Sequence, residues 1–190
     1  MPAVIVLAGG RGQRMGGVDK AQVTLDGVRL VDHLLAALAD HEVVVVSPQP
    51  DLGVAVPVVS EDPPFGGPVA GIAAGFRTLE TPELVAVLSV DAPDSPALLP
   101  LLVDALSHHP AADAAVVRAA DGHVQPLCAV WRAAGLERAL GRLDTVRDQA
   151  AKKLLRTADL VIEVDGDGTE RDYDTPGELA ERGEVGITGR

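Results

Sequence analysis

Val4–Lys20 reads VIVLAGGRGQRMGGVDK, a short apolar run that opens into a glycine-rich basic loop. Val4, Ile5, Val6 and Leu7 show no polar alternation, which predicts a strand buried on both faces of a parallel sheet and therefore central in it. Gly9, Gly10, Gly12, Gly16 and Gly17 remove side chains where a backbone must turn sharply or lie against a ligand. Arg11, Arg14 and Lys20 put positive charge into the same loop, although the chain as a whole carries a formal net charge of -12. Such a local excess of cations among glycines asks for an anion, and a phosphate-rich ligand is the natural candidate.

Two familiar phosphate loops fail on spacing. For a G-x-G-x-x-G fingerprint begun at Gly10 and Gly12, the third glycine position falls on Met15; begun at Gly12, the next falls on Arg14. A P-loop needs Gly-Lys-Ser/Thr, but Gly16-Gly17 is followed by Val18, Asp19 and Lys20. The loop instead resembles the LxGGxGxRM signature, with a following lysine, of the nucleotidyltransferases. In its particular form, LAGGRGQRMGGVDKA, it resembles the molybdenum cofactor guanylyltransferases, which attach GMP to molybdopterin. The resemblance extends over roughly residues 4 to 182 and implies a three-layer α/β/α Rossmann-like sandwich with a mostly parallel central sheet, of the nucleotide-diphospho-sugar transferase type.

The totals fit that expectation. The 190 residues suit one domain, here residues 1–184 followed by a frayed tail, 185–190. Composition is 47% hydrophobic but only 2% aromatic, so the core must be built from Val, Leu, Ile and Ala, which favours an α/β layered protein. With 28 acidic against 16 basic residues, the chain repels a polyanionic backbone, and no nucleic-acid partner is expected. The single cysteine, Cys128, forms no internal disulfide and reads as a small buried hydrophobe in a reducing cytosol. The opening MPAVIVLAGG lacks a basic n-region, and no stretch reaches the ~20 apolar residues of a membrane span, so a cytoplasmic protein without a membrane partner is expected.

Along the chain, Ala21–Leu25 reads as extended, Asp26-Gly27 as a turn, and Leu30, Leu34, Leu35 and Leu38 as one stripe of an amphipathic helix. Val43–Val46 and Val54–Val59 read as strands, and Val69–Leu79 as a helix with Pro68 near its first turn. Leu84–Val90 is a fourth apolar strand that delivers Asp91 to the carboxyl end of a central strand, where open α/β sheets meet their ligands. Pro96–Leu106 reads as a helix that Asp94 or Ser95 would cap. Ala114–Val117 and Val124–Trp131, around Asp121-Gly122, read as a hairpin. Helices over Ala133–Leu140 and Val146–Leu155 and a strand over Leu160–Val164 follow.

The family likeness then assigns roles. Leu7, Ala8, Gly9, Gly10 and Gly12 would contact the nucleotide, and Arg14 and Lys20 would neutralise its triphosphate. The fragment GPVAGIAAGF resembles the segment lining the base pocket, with Gly67 at its start. Asp62 matches the carboxylate that accepts from guanine N1 and N2, and Ser47 is a further base-pocket candidate. Asp91 matches the aspartate that binds Mg²⁺; magnesium takes one or two carboxylates beside phosphate oxygens and waters. Asp174, in the DTP segment Asp174-Thr175-Pro176, stands where many guanylyltransferases carry asparagine, and an aspartate there suits a metal shell. QPLCAVWR resembles the acceptor side of the cleft, making Gln125 and Arg132 candidates and leaving Trp131 between core and stacking roles. Arg147, Lys152, Lys153 and Arg156 match a region covering the pterin phosphate.

The implied reaction is attack by a phosphate oxygen of molybdopterin on the α-phosphorus of GTP, releasing pyrophosphate. The resemblance also implies transient contact with molybdenum-insertion proteins and apo-molybdoenzymes, by a monomer or weak oligomer. Two alternatives stay open on the sequence: a cytidylyltransferase acting on the same pterin, or another small-molecule phosphate nucleotidyltransferase, and a GTP-binding carrier module without catalysis.

Overall fold

The structure, a computed structural model, describes residues 1–9 and 19–187. Ala3–Leu7 (β1) is buried along its whole length. Thr24–Leu25 (β2) and Val28–Arg29 (β3) form a small hairpin whose turn residues, Asp26 and Gly27, take φ of 52° and 80°. Those left-handed values match the twist of paired strands and explain the Asp-Gly pair. Leu30–Ala37 (α1), Val43–Val46 (β4), Val58–Val59 (β5), Pro68–Phe76 (α2) and Leu84–Ser89 (β6) follow. Leu99–His108 (α3), Ala114–Arg118 (β7), Val124–Arg132 (β8), Ala133–Gly141 (α4) and Ala151–Leu155 (α5) lead to Val161–Asp165 (β9), Pro176–Leu179 (α6) and Val185–Gly186 (β10).

The main sheet has the order β5-β4-β1-β6-β8-β7-β9, seven strands among the described residues. β1 pairs in parallel with both β4 and β6, β4 with β5, and β7 with β9, while β8 runs against β6 and β7. Alternate side chains of β1 feed two cores. Val4 and Val6 join Leu30 and Leu34 of α1 and Leu102 and Leu106 of α3 on one face. Ile5 and Leu7 join Val69 and Ile72 of α2, Leu136 of α4 and Leu154 of α5 on the other. The mixed sheet is thus the middle of three layers, and every strand between helices must be apolar on both sides. Helix α2 comes closest. A Cβ on Gly75 would lie 2.7 Å from Ile5 Cγ2, so only glycine lets the helix settle on β1.

From β1 the chain moves outward to β4 and β5, then returns across the sheet to β6. The strand order therefore reverses between β1 and β6, and a crevice opens beyond their carboxyl ends, at Leu7 and Ser89.

Several expected boundaries shift for physical reasons. Only Val58 and Val59 of the expected Val54–Val59 strand pair, at the sheet edge, with Pro57 contributing only its carbonyl, to Val45 N. The helix expected from Val146 begins at Ala151, because Asp148, at φ 56°, donates its N–H to Gly66 O instead of to a helical turn. Prolines Pro96 and Pro100 split the expected Pro96–Leu106 helix into a 3-10 turn over Ser95–Leu98 and α3. Neither Asp94 nor Ser95 caps it: Ser95 Oγ donates to Ala92 O, and Asp94 pairs with Arg182 at 2.7 Å. Finally, the expected tail is not frayed at its start, since β10 pairs antiparallel with β2 and makes a three-stranded sheet with β3. Among the described residues no helix is long and apolar enough to cross a membrane.

Candidate active site

Lys20 is positioned by its neighbour. Asp19 Oδ1 accepts from Ala21 N at 3.0 Å and starts one 3-10 turn over Lys20–Gln22, and Ala21 is fully buried, which pins that turn to the core. The ammonium then reaches across the crevice. Lys20 Nζ donates to Asp91 Oδ2 at 2.8 Å and to Asp174 Oδ1 at 2.9 Å.

Each carboxylate has its own support. Asp91 follows β6, and its carbonyl accepts from Tyr173 N at 2.9 Å, so the C-terminal segment is stitched to the strand end. Asp174 precedes α6, whose start is closed by a capping box: Thr175 Oγ1 accepts from Glu178 N, and Glu178 Oε2 accepts from Asp174 N at 2.8 Å and Thr175 N at 3.0 Å. The Asp-Thr-Pro segment is therefore both a helix start and a holder for the carboxylate that meets Lys20.

The electrostatics follow. Burial works against charge on Lys20, but Asp91 and Asp174 outweigh it and hold the ammonium above the ordinary lysine range. Asp172 is pushed up, first by desolvation and then by the Asp91 and Asp174 charges. Asp19 is also raised by burial, and its Oδ2 has no hydrogen-bond partner among the described residues.

Three cavities meet here. The largest of these three, about 330 Å³, is lined by residues that include Leu7, Gly9, Pro48, Glu61, Phe65 and Gly67. A second, about 90 Å³, lies between Ala8, Gly9 and Lys20, and a third, about 140 Å³, is walled by Gln125, Leu127, Cys128, Glu170 and Asp172. Ser89 and Asp91 line all three. Asp91 therefore stands at a junction with a ligand-sized chamber on one side, a small polar slot facing Lys20, and a separate acid-walled chamber on the other.

The expected residues distribute unevenly. Leu7, Ala8, Gly9, Lys20, Gly67, Asp91 and Asp174 gather at the crevice. Gly10, Gly12 and Arg14 lie outside the described residues. Two other expected residues do not line these chambers. Asp62 is exposed and absent from the chamber wall, where its neighbour Glu61 stands instead, with Oε1 accepting from Gly66 N at 3.1 Å. Ser47 is fully buried, and its Oγ accepts from Gln49 N, which fixes the turn that presents Val46 and Pro48 to the chamber. Gln125 lines the third chamber, but Arg132 sits at the opposite end of β8, donating to Ala112 O and Leu106 O. Trp131 is 1% exposed, a core residue. Arg147 donates to Pro63 O at 2.9 Å, while Lys152, Lys153 and Arg156 are exposed and line none of these chambers. Sequence reading missed Glu61, Phe65, Ser89 and Asp172; Ser89 alone had a signal, as the polar residue ending an apolar strand two places before Asp91.

The open sheet, its reversal between β1 and β6 and the bridged carboxylates beyond it define a fold of the nucleotide-diphospho-sugar transferase type. Residues 4–162 match the family model described as MobA-like NTP transferase domain, and the chain belongs to that family. A molybdenum cofactor guanylyltransferase of Cereibacter sphaeroides is 36% identical over 141 residues, 70% of either chain. One of Bordetella petrii is 40% identical over 89 residues, 44% of this chain and 45% of that protein, so the chain matches about half of that relative's length. The crystal structure of molybdopterin-guanine dinucleotide biosynthesis protein A from Archaeoglobus fulgidus superposes with a TM-score of 0.69 at 20% identity, covering 95% of this chain and 96% of that one, a likeness of fold. The family match stops at Val161-Ile162, yet Asp174, which meets Lys20, lies beyond it.

Proposed function

We propose that this chain transfers GMP from GTP to molybdopterin and releases pyrophosphate. The observation that carries the reading is Asp91 at the meeting point of three chambers, with Lys20 beside it. Family membership and the names of the curated relatives support the choice of substrates. In this reading the base and ribose of GTP occupy the chamber lined by Glu61 and Gly67, the triphosphate runs past Gly9 toward Lys20, and the pterin phosphate approaches from the third chamber. Gly10, Gly12 and Arg14 would add phosphate contacts. A phosphate oxygen of the acceptor forms the bond to the α-phosphorus, the bond to the bridging oxygen breaks, and the electron pair leaves with pyrophosphate. No covalent nucleophile is needed, because positioning and charge stabilisation supply most of the acceleration in such transfers.

Glu61 takes the base-reading role expected of Asp62, its carboxylate accepting from the guanine N1 and N2 edge. Mg²⁺ suits the donor set. Asp91 and Asp174 already converge on one cation, the Lys20 ammonium, and among the described residues no group of three or more His, Cys, Asp and Glu gathers around a metal position. That fits an ion that takes one or two carboxylates and completes its shell with waters and phosphate oxygens. Bound there, Mg²⁺ would neutralise phosphate charge that Lys20 and Arg14 alone leave uncompensated. Lys20 would then exchange one carboxylate for a phosphate oxygen, keeping its proton throughout.

Thermal stabilisation and pyrophosphate release measured with GTP, CTP, ATP and UTP test the nucleotide. GTP should give the largest effect in both. A preference for CTP would transfer the reading to a cytidylyltransferase, and GTP binding without pyrophosphate formation in the presence of molybdopterin would make the chain a carrier.

A further inference from the structure

Four polar or charged side chains are buried among the described residues: Ser47, Ser95, Asp113 and Glu170. Three are engaged by protein groups. Ser47 Oγ accepts from Gln49 N, Ser95 Oγ donates to Ala92 O, and Asp113 takes Arg138 on one oxygen and Asp159 N on the other. Glu170 differs: it is 5% exposed, forms no ion pair among the described residues, and holds one hydrogen bond there, from Gly168 N to Oε2 at 2.8 Å. A buried carboxylate with an oxygen left over is costly unless something supplies the missing donors.

The chain makes room for it. A Cβ on Gly166, just after β9, would lie 2.5 Å from Glu170 Cδ, so any larger residue there would push the carboxyl group out of its place. Turn formation alone asks for less: Asp167, exposed in the same segment, accepts from Thr169 N at 3.0 Å. Glu170 instead lines the third chamber with Gln125, Leu127 and Cys128. That chamber shares Ser89 and Asp91 with the slot at Lys20, whereas Gln125, Cys128 and Glu170 line neither of the other two. An acceptor placed there has its phosphate at the end where Lys20 stands, since Glu170 repels an anion, and its ring against Glu170. A pterin ring carries an amide N–H beside an amino group on its pyrimidine edge, two donors that one carboxylate can accept together. The carbonyl next to them suits a carboxamide donor such as Gln125.

We infer that Glu170 binds the pterin edge of the acceptor, its carboxylate accepting from the ring N–H and amino groups while Gln125 donates to the ring carbonyl. This rests on the third chamber being the acceptor site of guanylyl transfer. Glu170→Gln keeps the size of the side chain and an acceptor for Gly168 N, but replaces one acceptor oxygen by a donor. Steady-state transfer with molybdopterin varied at saturating GTP, then with GTP varied at saturating molybdopterin, tests it, with thermal midpoints measured alongside. Glu170→Gln should raise KM for molybdopterin at least about 10-fold, the scale of losing a hydrogen bond to a charged group, while KM for GTP stays within about 2-fold and the midpoint does not fall. Gln125→Ala should raise the same KM about 5-fold, as a neutral hydrogen bond is lost. An unchanged KM for molybdopterin in Glu170→Gln, or equal rises in both KM values with a lowered midpoint, would assign Glu170 to the turn alone and leave the transferase reading intact. A wild-type chain that forms no guanylylated pterin would overturn both.

Discussion

Two cation–carboxylate clusters sit at opposite ends of the same sheet. At the amino end of β7, Asp113 is 4% exposed and has both oxygens engaged, Oδ1 by Arg138 at 2.5 Å and Oδ2 by Asp159 N at 2.7 Å. Asp159 also pairs with Arg142 at 2.7 Å, and Gly135 packs so closely on Asp113 that a Cβ would come within 2.8 Å of it. At the carboxyl ends of β1 and β6, Asp91 and Asp174 are 17% and 36% exposed, share one lysine, and border open chambers. The first cluster is closed by helix and loop and holds the α4 layer on the sheet. The second holds a cation in a place that a ligand can enter. The same pairing of charges thus serves structure where both oxygens of a buried carboxylate are held by protein groups, and suits chemistry where the pairing borders open chambers and can be exchanged.

Substitutions should separate the two. Asp91→Asn should lower turnover at least about 100-fold, the scale of losing one preorganised electrostatic group, with a thermal midpoint near that of the wild type because the pair is partly exposed. Equal losses of rate and stability would erase the distinction. Asp113→Ala should do the reverse, costing roughly 2 kcal/mol in denaturant unfolding by stripping the partner from Asp159 N and Arg138, while kcat of the folded fraction is unchanged. Glu61→Gln should raise KM for GTP about 10-fold, since a charge-assisted acceptor is lost, whereas Asp62→Asn should leave it within about 2-fold.

The smallest effect concerns Cys128, which lines the third chamber. Burial, aided by the Glu170 and Asp167 charges, pushes its thiol up to about 12. The folded state therefore favours the protonated thiol. Its contribution to stability is complete below the unfolded cysteine value of about 8.5 and is lost as pH rises toward 12. Iodoacetamide at pH 8 should label the urea-unfolded chain and spare the native one; rapid native labelling would place the third chamber in more open contact with solvent.

Much of this was legible in the residues. The apolar runs at Val4–Leu7, Val43–Val46 and Leu84–Ser89 could only be strands covered on both faces, and Asp91 at the end of one of them announced the crevice. Lys20 was readable because a cation in a glycine loop of an acidic chain has a cost that calls for a reason. What failed to show was which of two adjacent acids faces inward. Glu61 and Asp62 are equivalent on paper, and their difference is made by Gly66 N, which draws Glu61 toward the loop. Arg132 misled for a related reason: a nine-residue strand carries its two termini to opposite ends of the sheet, so Gln125 and Arg132 cannot share a site. Val185–Gly186 gave no pattern long enough to read, and its place depends on β2, 160 residues away in the chain and visible only in the fold.

Group transfer at Asp91 is tested most directly by the mass of the pterin. Incubation of the chain with molybdopterin, Mg²⁺ and each nucleoside triphosphate in turn should yield, with GTP, a pterin heavier by one guanylyl group, formed at wild-type rate by Asp113→Ala that remains folded and at least about 100-fold more slowly by Asp91→Asn. An unmodified pterin with every nucleotide, or guanylylation that proceeds undiminished in Asp91→Asn, would contradict it.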